Sequence, residues 1–441
     1  MNGWIEVLIQ LVQAMVQWLL TPYFYIAVLL VAWRNGRLAQ EERRMLHVSL
    51  HAPLQQTVRQ LLEGLAAGFI VSVLLLALGA VLHPSAFPLL WGLTLLLFLL
   101  RRRWQPLSLA VGLLWLASLA FQLPLLRDTD VWWREALQGL HWPAWLVLVG
   151  LLQWCEAVLL WRVSRRQAYP MVLAGRRGLP VGGYRFEGWW PLPLFVWGIG
   201  DGAGWTSVVP WWPLFADGGG WTVVPLPLYA GFAFMSRTAS PEEQAAWWQK
   251  CRWLGGAVAL ALACVGQWWP AFSAFGVLLL LLWELAARAA WHWRERNGEL
   301  YFVPDKRGLK VLAVVPGSPA EEMGVAPGEV VVKVNGRTVS SESELYHAVQ
   351  TNPAFCKLEV LDRRGEVRFV QRAVYEGTHH QLGIIAVPVK RETELYTGDG
   401  TWTKNDEPHV QASGGGPNIS GERQASGETQ QDGAENKRQM T

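Results

Sequence analysis

The chain has 441 residues, of which 51% are hydrophobic and only 17% are charged, and its net charge is +3. A soluble protein normally carries about a quarter charged residues, and a net charge of +3 is too small to indicate a nucleic-acid partner. The 28 tryptophans often flank apolar runs in residues 1–292, as is typical of side chains at a membrane–water interface. We therefore predict a polytopic α-helical membrane domain over residues 1–297.

The first apolar segment has a polar stripe. In residues 4–17, the side chains of Glu6, Gln10, Gln13 and Gln17 are spaced by four, three and four positions. This spacing places them on one face of a helix. We predict an amphipathic helix lying in the membrane interface, with a full span as the alternative.

About nine membrane spans are predicted after this helix. A crossing helix needs about 20 residues, or somewhat fewer with interfacial anchors. The more regular apolar segments lie near residues 18–33, 63–82, 86–100, 107–126, 142–161, 253–268 and 271–289. Two further spans, broken by proline and glycine, are predicted near residues 190–213 and 221–235.

Arginine-rich connectors alternate with connectors that have little net positive charge, and positive connectors are typical of the cytoplasmic side. The arginines in question are Arg34, Arg37, Arg43, Arg44, Arg59, Arg101, Arg102, Arg103, Arg162, Arg165, Arg166, Arg176, Arg177 and Arg185. With nine spans, the chain returns to the cytoplasm after residue 297. If residues 190–235 cross only once, this orientation is reversed.

The sequence shows no catalytic motif. His47 and His51 have the spacing of a zinc-protease helix but lack its glutamate, and no Gly-x-Ser-x-Gly turn occurs. Residues 198–204 are rich in glycine, but they do not follow a strand as a dinucleotide-binding loop would. No two of the four cysteines form a Cys-x-x-Cys pair. We therefore predict no enzyme activity, no metal and no cofactor.

Glu156 and Asp201 are the ionisable residues closest to the interior of predicted spans. Such groups are costly in lipid and often functional, which would suit a proton or substrate pathway. The simpler interpretation is a hydrogen bond between helices for Glu156 and a turn outside the membrane for Asp201. The first interpretation suits a noncatalytic regulatory subunit of a membrane protease or transport system, which is our alternative function.

Residues 311–336 combine signals for two strands and a helix. Ser318-Pro319 supplies an N-cap and a first helical residue, and Gly324 suits the end of that helix. Val330–Val334 reads as a strand, and Asn335-Gly336 is a strong hairpin signal. This stretch resembles the core of a bacterial PDZ domain. The resemblance implies a small α+β domain, a β-sandwich or partly open barrel with two helices, over residues 298–390.

PDZ domains bind peptides by adding a strand to a sheet edge, beside the second helix. Here that helix is predicted at residues 342–350, with a capping box at Ser341–Glu344. The resemblance implies a carboxylate-binding loop before the groove strand. The candidate peptide-binding residues are Leu345, Val349, Leu382, Gly383, Ile384 and Ile385.

An alternative carboxylate loop precedes the first strand, at Arg307, Gly308 and Leu309. We favour the later loop because many bacterial PDZ domains resemble circular permutants and because Leu-Gly-Ile is similar to the family's Gly-Leu-Gly-Phe loop. Its strand could instead merely close the sheet. If it does form the loop, we expect Gly383→Val to weaken peptide binding more than it destabilises the fold.

The C-terminal segment, residues 391–441, is rich in Gly, Ser, Gln, Glu and Asn. This composition buries too little apolar surface to fold, so we predict a disordered tail. The oligomeric state is not predictable from the sequence.

Taken together, the multi-span region, the Arg-rich connectors and a single C-terminal PDZ domain resemble the MinJ family of cell-division topological determinants of Firmicutes. Residues 210–215, 356–362, 367–373 and 379–384 carry further similarity. The resemblance implies a non-enzymatic membrane scaffold that connects a DivIVA-like polar scaffold to a MinD-like division inhibitor. It implies cytosolic or peripheral division proteins and membrane lipids as partners, with a cytoplasmic PDZ domain and tail.

Overall fold

The computed structural model describes residues 2–46, 52–100, 107–121, 132–138, 140–164, 168–174, 180–199, 212–216, 220–352, 355–373, 382–387, 395–396 and 402–403. Its helices are α1 (Asn2–Leu20), α2 (Pro22–Leu46), α3 (Pro53–Leu78), α4 (Phe87–Leu100), α5 (Leu107–Ala120), α6 (Trp132–Gln138), α7 (Trp142–Ser164), α8 (Pro241–Trp268), α9 (Pro270–Asn297), α10 (Pro319–Glu322) and α11 (Glu342–Gln350).

The strands are β1 (Val81–Leu82), β2 (Ala168–Ala174), β3 (Pro180–Ile199), β4 (Trp221–Ser236), β5 (Leu309–Val314), β6 (Val330–Val334), β7 (Arg337–Thr338), β8 (Phe355–Leu361), β9 (Val367–Ala373), β10 (Ile384–Ala386), β11 (Leu395–Tyr396) and β12 (Trp402–Thr403). One sheet contains β1–β4 with β11 and β12, and a second contains β5–β10.

Three helices are long and apolar enough to cross a membrane, judged by length and composition: α3, α7 and α9. The α1–α2 pair, bent by 52°, passes the same test if it is counted as one span. Helices α4 and α5 are apolar but shorter. These helices are consistent with membrane association, and they overlap six of the predicted spans.

The two spans predicted near residues 190–213 and 221–235 are wrong as helices. The described residues there form β3 and β4, which pair antiparallel from Tyr184↔Ser236 to Ile199↔Trp221. The physical reason lies in the prolines. They recur with a period of two, at Pro191 and Pro193 in β3 and at Pro225 and Pro227 in β4, a spacing that fits one edge of a strand and not a helix.

The prolines leave few unpaired donors at the outer edges of this strand pair. Proline has no N–H, and Pro193 lies opposite Pro227, so neither has a donor to satisfy. The next donor along β3, the Phe195 N–H, is bound by the Ser72 hydroxyl at 2.9 Å. On β4, the Val223 N–H donates to the Gln10 side chain at 3.3 Å. Along this stretch, α3 and α1 therefore supply side-chain acceptors for backbone donors at the two outer edges, as an apolar environment would require.

Helix α3 lies directly on the edge of β3 because small residues recur at every fourth position. A Cβ on Gly64 would lie 2.4 Å from the Pro191 carbonyl oxygen, and one on Gly68 would lie 2.6 Å from Pro193 Cδ. Four helical residues rise about 6.0 Å, and two strand residues advance about 6.6 Å. Helix and strand therefore stay in register along this contact.

Part of the predicted disordered tail differs from expectation. Leu395–Tyr396 and Trp402–Thr403 pair with each other, and Tyr396 pairs with Leu173 of β2. Residues 404–441 lie outside the described part of the chain.

Candidate peptide-binding site

The local signals in the C-terminal domain are confirmed by its geometry. The Ser318 hydroxyl accepts from the Glu321 N–H and caps α10, and Ser341 caps α11 in the same way through Glu344. The Glu344 carboxylate accepts from both the backbone N–H and the hydroxyl of Ser340. These hydrogen bonds hold the pKa of Glu344 below its usual value.

Strand β10 is the terminal strand of its sheet among the described residues, in the order β10-β5-β6-β8-β9. Antiparallel pairing with β5 occupies one of its edges. Leu382 and Ile384 belong to the same buried cluster as Leu345 and Val349 of α11. Four of the candidate residues are thus brought together, beside a strand edge that no described strand occupies.

Gly383 is required by the fold itself. Its φ is +80°, and a Cβ there would lie 2.2 Å from the Ser318 Cβ. Its carbonyl accepts from the Val315 N–H at 2.8 Å, and the Leu382 carbonyl accepts from the Ala320 N–H at 3.1 Å. We therefore expect Gly383→Val to destabilise the fold as well as to affect binding, because a Cβ at this position would displace Ser318, which caps α10.

Ile385 lies apart from the other candidates. Successive strand residues face opposite sides, and Ile385 packs in a separate cluster with Val172, Tyr184 and Phe302. Two of those residues belong to strands of the N-terminal region. The structure therefore places Ile385 at the contact between the two regions, where it does not join the cluster with α11.

The alternative loop is built into the sheet. Leu309 pairs with Val331, and a Cβ on Gly308 would lie 2.3 Å from the Val331 carbonyl oxygen. The Arg307 guanidinium folds back onto Asp305 at 2.8 Å, and this hydrogen bond lowers the pKa of Asp305 to about 2. The structure thus gives Arg307 a carboxylate partner within its own loop.

The C-terminal domain docks on the strands of the N-terminal region, a feature that no motif in the sequence indicates. The Gly182 N–H donates to the Phe302 carbonyl at 2.9 Å, and the Tyr184 hydroxyl donates to the Leu312 carbonyl. Glu242 pairs with Arg363 at 3.2 Å. Because Phe302 is almost fully buried, the two regions share an apolar contact as well as backbone hydrogen bonds.

Tyr184→Phe should weaken the docking contact by about 1–2 kcal/mol, because the Leu312 carbonyl then loses its buried donor. Hydrogen exchange of the full chain should report faster exchange at β5 and β10. Tyr346→Phe, an exposed tyrosine on α11, is the matched control and should leave exchange unchanged. Equal exchange in Tyr184→Phe and the unmodified protein would contradict the assigned contact.

Glu156, one of the two ionisable candidates, forms an ion pair between helices. Its carboxylate lies 3.0 Å from the Arg252 Nε, and both side chains are buried. This arrangement favours the structural interpretation of Glu156. Asp201 lies outside the described residues. No group of three or more potential metal ligands occurs in the part of the chain that the structure describes.

Comparison with known proteins supports both parts of this architecture. Residues 310–363 match the PDZ domain family. The chain is 29% identical over 390 residues to the cell division topological determinant MinJ of Bacillus subtilis (strain 168), covering 88% of this chain and 97% of that protein. It is 28% identical over 374 residues to a probable MinJ of Lacticaseibacillus paracasei, covering 83% and 95% of the two chains.

Similarity to enzymes is confined to the PDZ domain. The mouse (Mus musculus) serine protease HTRA3 is 47% identical over 58 residues, which cover 13% of this chain and 12% of the protease. The relatives that match over most of their length are named as division determinants and not as enzymes. The resemblance to the MinJ family is thereby confirmed over most of the chain.

Proposed function

We propose that this chain, a homologue of the MinJ division determinants, is a membrane-anchored adaptor that helps to place the division site. The observation that carries the proposal is similarity to MinJ over nearly the full length of that protein, joined to a PDZ domain with an unoccupied edge on β10 among the described strands. The adaptor role requires no chemistry, only simultaneous attachment to the membrane and to a partner.

The partner is a peptide segment of a cytosolic or peripheral division protein. An extended peptide would add to β10 as a new strand, and its side chains would contact the apolar wall made by α11. In the bridging arrangement that the resemblance implies, a DivIVA-like scaffold and a MinD-like inhibitor are the two proteins connected. Backbone hydrogen bonds would supply affinity, and the wall around Leu345 and Val349 would supply selectivity.

The proposed topology places the PDZ domain in the cytoplasm. Helix α9 ends in Arg294 and Arg296 immediately before the domain, and exposed arginines also end α2 and α7. Arginine-rich ends favour the cytoplasmic side. The connections at residues 78–83 and 268–270, which join the other ends of α3, α8 and α9, contain no charged residue.

Tyr346 offers a test of the groove that does not depend on disturbing the core. It is 45% exposed and lies three residues from Val349, on the same side of α11. Tyr346→Glu should reduce recovery of DivIVA-like and MinD-like proteins with the full-length chain by tenfold or more. A buried, unpaired carboxylate at a binding edge costs more than the 1.4 kcal/mol that corresponds to tenfold.

Phe369→Glu is the matched control. Phe369 is 61% exposed on β9, at the opposite end of the sheet from β10. It should leave partner recovery unchanged, and both variants should melt within a few degrees of the unmodified protein. If Phe369→Glu abolishes recovery and Tyr346→Glu does not, the binding edge is β9 and the groove assignment fails.

A further inference from the structure

Arginines in the N-terminal region fall into two groups that differ in their partners. The buried ones pair with carboxylates: Arg34 with Glu187, and Arg252 with Glu156 and Glu284. A second group is exposed and forms no ion pair among the described residues. Its members are Arg37, Arg43, Arg44, Arg162, Arg294 and Arg296. A buried charge requires a partner within the protein. An exposed charge can instead be stabilised by water or by a bound anion.

Three of the exposed arginines lie next to exposed tryptophans. The Arg37 guanidinium lies 5.2 Å from the ring centroid of Trp33, one helical turn earlier on α2. Trp161 precedes Arg162, and Trp293 precedes Arg294. Trp33, Trp161 and Trp293 are 46%, 51% and 69% exposed, respectively. Tryptophan prefers the headgroup level of a bilayer. In a membrane, these Trp–Arg pairs would therefore lie at the depth of the lipid phosphates.

On α2 the pattern forms a stripe. Residues 33, 37 and 44 lie within about 40° of one another on a helix of 3.6 residues per turn. On an adjoining face, Glu41 binds Arg185 of β3 at 2.8 Å, which fixes the orientation of α2. Trp33, Arg37 and Arg44 are therefore presented together by a helix that cannot rotate freely.

These arginines lie at the end of the N-terminal region where the PDZ domain docks. Arg294 and Arg296 end the helix that leads into that domain, and α2 contacts β3 at Arg185, three residues from the Gly182–Phe302 hydrogen bond. The positive charge therefore lies beside the PDZ domain. A lipid bound to these arginines would therefore lie close to the surface of the N-terminal region on which the PDZ domain docks.

We propose that the stripe of Trp33, Arg37 and Arg44 binds the phosphate of an anionic phospholipid in the leaflet that faces the PDZ domain. This inference rests on the proposed membrane insertion. The lipid phosphate supplies the anion that Arg37 and Arg44 do not have among the described residues, and Trp33 packs against the glycerol and upper acyl chains. The adaptor therefore prefers membrane regions enriched in anionic lipid.

The test uses the full-length chain, purified from membranes in a neutral detergent. Short-chain phosphatidylglycerol and phosphatidylcholine are titrated separately, and bound lipid is counted by native mass spectrometry. Phosphatidylglycerol should bind at least fivefold more tightly. Each arginine near an anionic surface contributes roughly fivefold, so Arg37→Gln with Arg44→Gln should remove the preference. Inorganic phosphate at the same concentration should not compete.

The control replaces two exposed arginines of the PDZ domain, Arg337→Gln with Arg364→Gln, and should retain the preference. Equal binding of both lipids, an unchanged preference in the α2 variant, an equal loss in the control, or full competition by inorganic phosphate would each overturn the proposal. Recovery of the chain in the soluble fraction would instead refute the membrane insertion on which it rests, so the two failures are distinguishable.

Discussion

Replacing Arg252 by methionine is expected to lower the free energy of unfolding by about 3–5 kcal/mol, as is typical when one partner of a buried ion pair is removed. Arg252 on α8 binds Glu284 of α9 and lies 3.0 Å from Glu156 of α7. Ser108 of α5 also donates to Glu284, at 3.0 Å. Four helices therefore meet at this cluster. Without Arg252, Arg288 is the only cation among the described residues that pairs with either carboxylate, and its partner is Glu284.

The expected ranking of variants makes this prediction specific. Glu156→Gln should cost less than Arg252→Met, because the Arg252–Glu284 pair persists. Arg59→Met is the control: Arg59 pairs with Glu63 at 2.9 Å but is 38% exposed, and such pairs contribute about 0–1 kcal/mol. Unfolding of the full chain in mixed detergents provides the measurement. A loss for Arg252→Met no greater than that for Arg59→Met would show that the cluster does not hold the helices together.

The C-terminal domain was largely predictable because its signals are local. Ser318, Gly324 and Asn335-Gly336 each specify one turn or cap from neighbouring residues alone, and all three agree with the structure. The same locality explains what was missed. Nothing near Phe302 in sequence indicates that its carbonyl binds Gly182, because that partner comes from a strand more than a hundred residues away.

The N-terminal region shows where composition misleads. Apolar residues and prolines at 190–235 suggested broken helices, yet Pro191, Pro193, Pro225 and Pro227 repeat with a strand period. That period was the available signal. A second signal was the spacing of Gly64, Gly68 and Ser72 on α3, since small residues at every fourth position allow a helix to approach another backbone closely. The proline pattern and the small-residue pattern must be considered together to predict a strand pair with a helix against its edge.

Gly383→Ala is expected to destabilise the PDZ domain by about 2–4 kcal/mol, through two separable effects. A non-glycine residue at positive φ costs roughly 1–2 kcal/mol. The added Cβ would also displace Ser318, whose hydroxyl caps α10, and loss of an N-cap costs about 1 kcal/mol or more. Hydrogen exchange at β5 and β10 in the full chain measures the total.

Gly365→Ala separates the two effects. Gly365 has a φ of +86°, but no atom lies within 4 Å of a Cβ built there. It should therefore show only the conformational cost. If the two variants are equally destabilised, the contact with Ser318 contributes nothing, and Gly383 is free to serve the ligand. If Gly383→Ala is clearly worse, the glycine holds α10 against the start of the groove strand, and binding defects at this position report on the fold. Groove function is then better probed at Tyr346, which is exposed and does not contribute to the buried cluster.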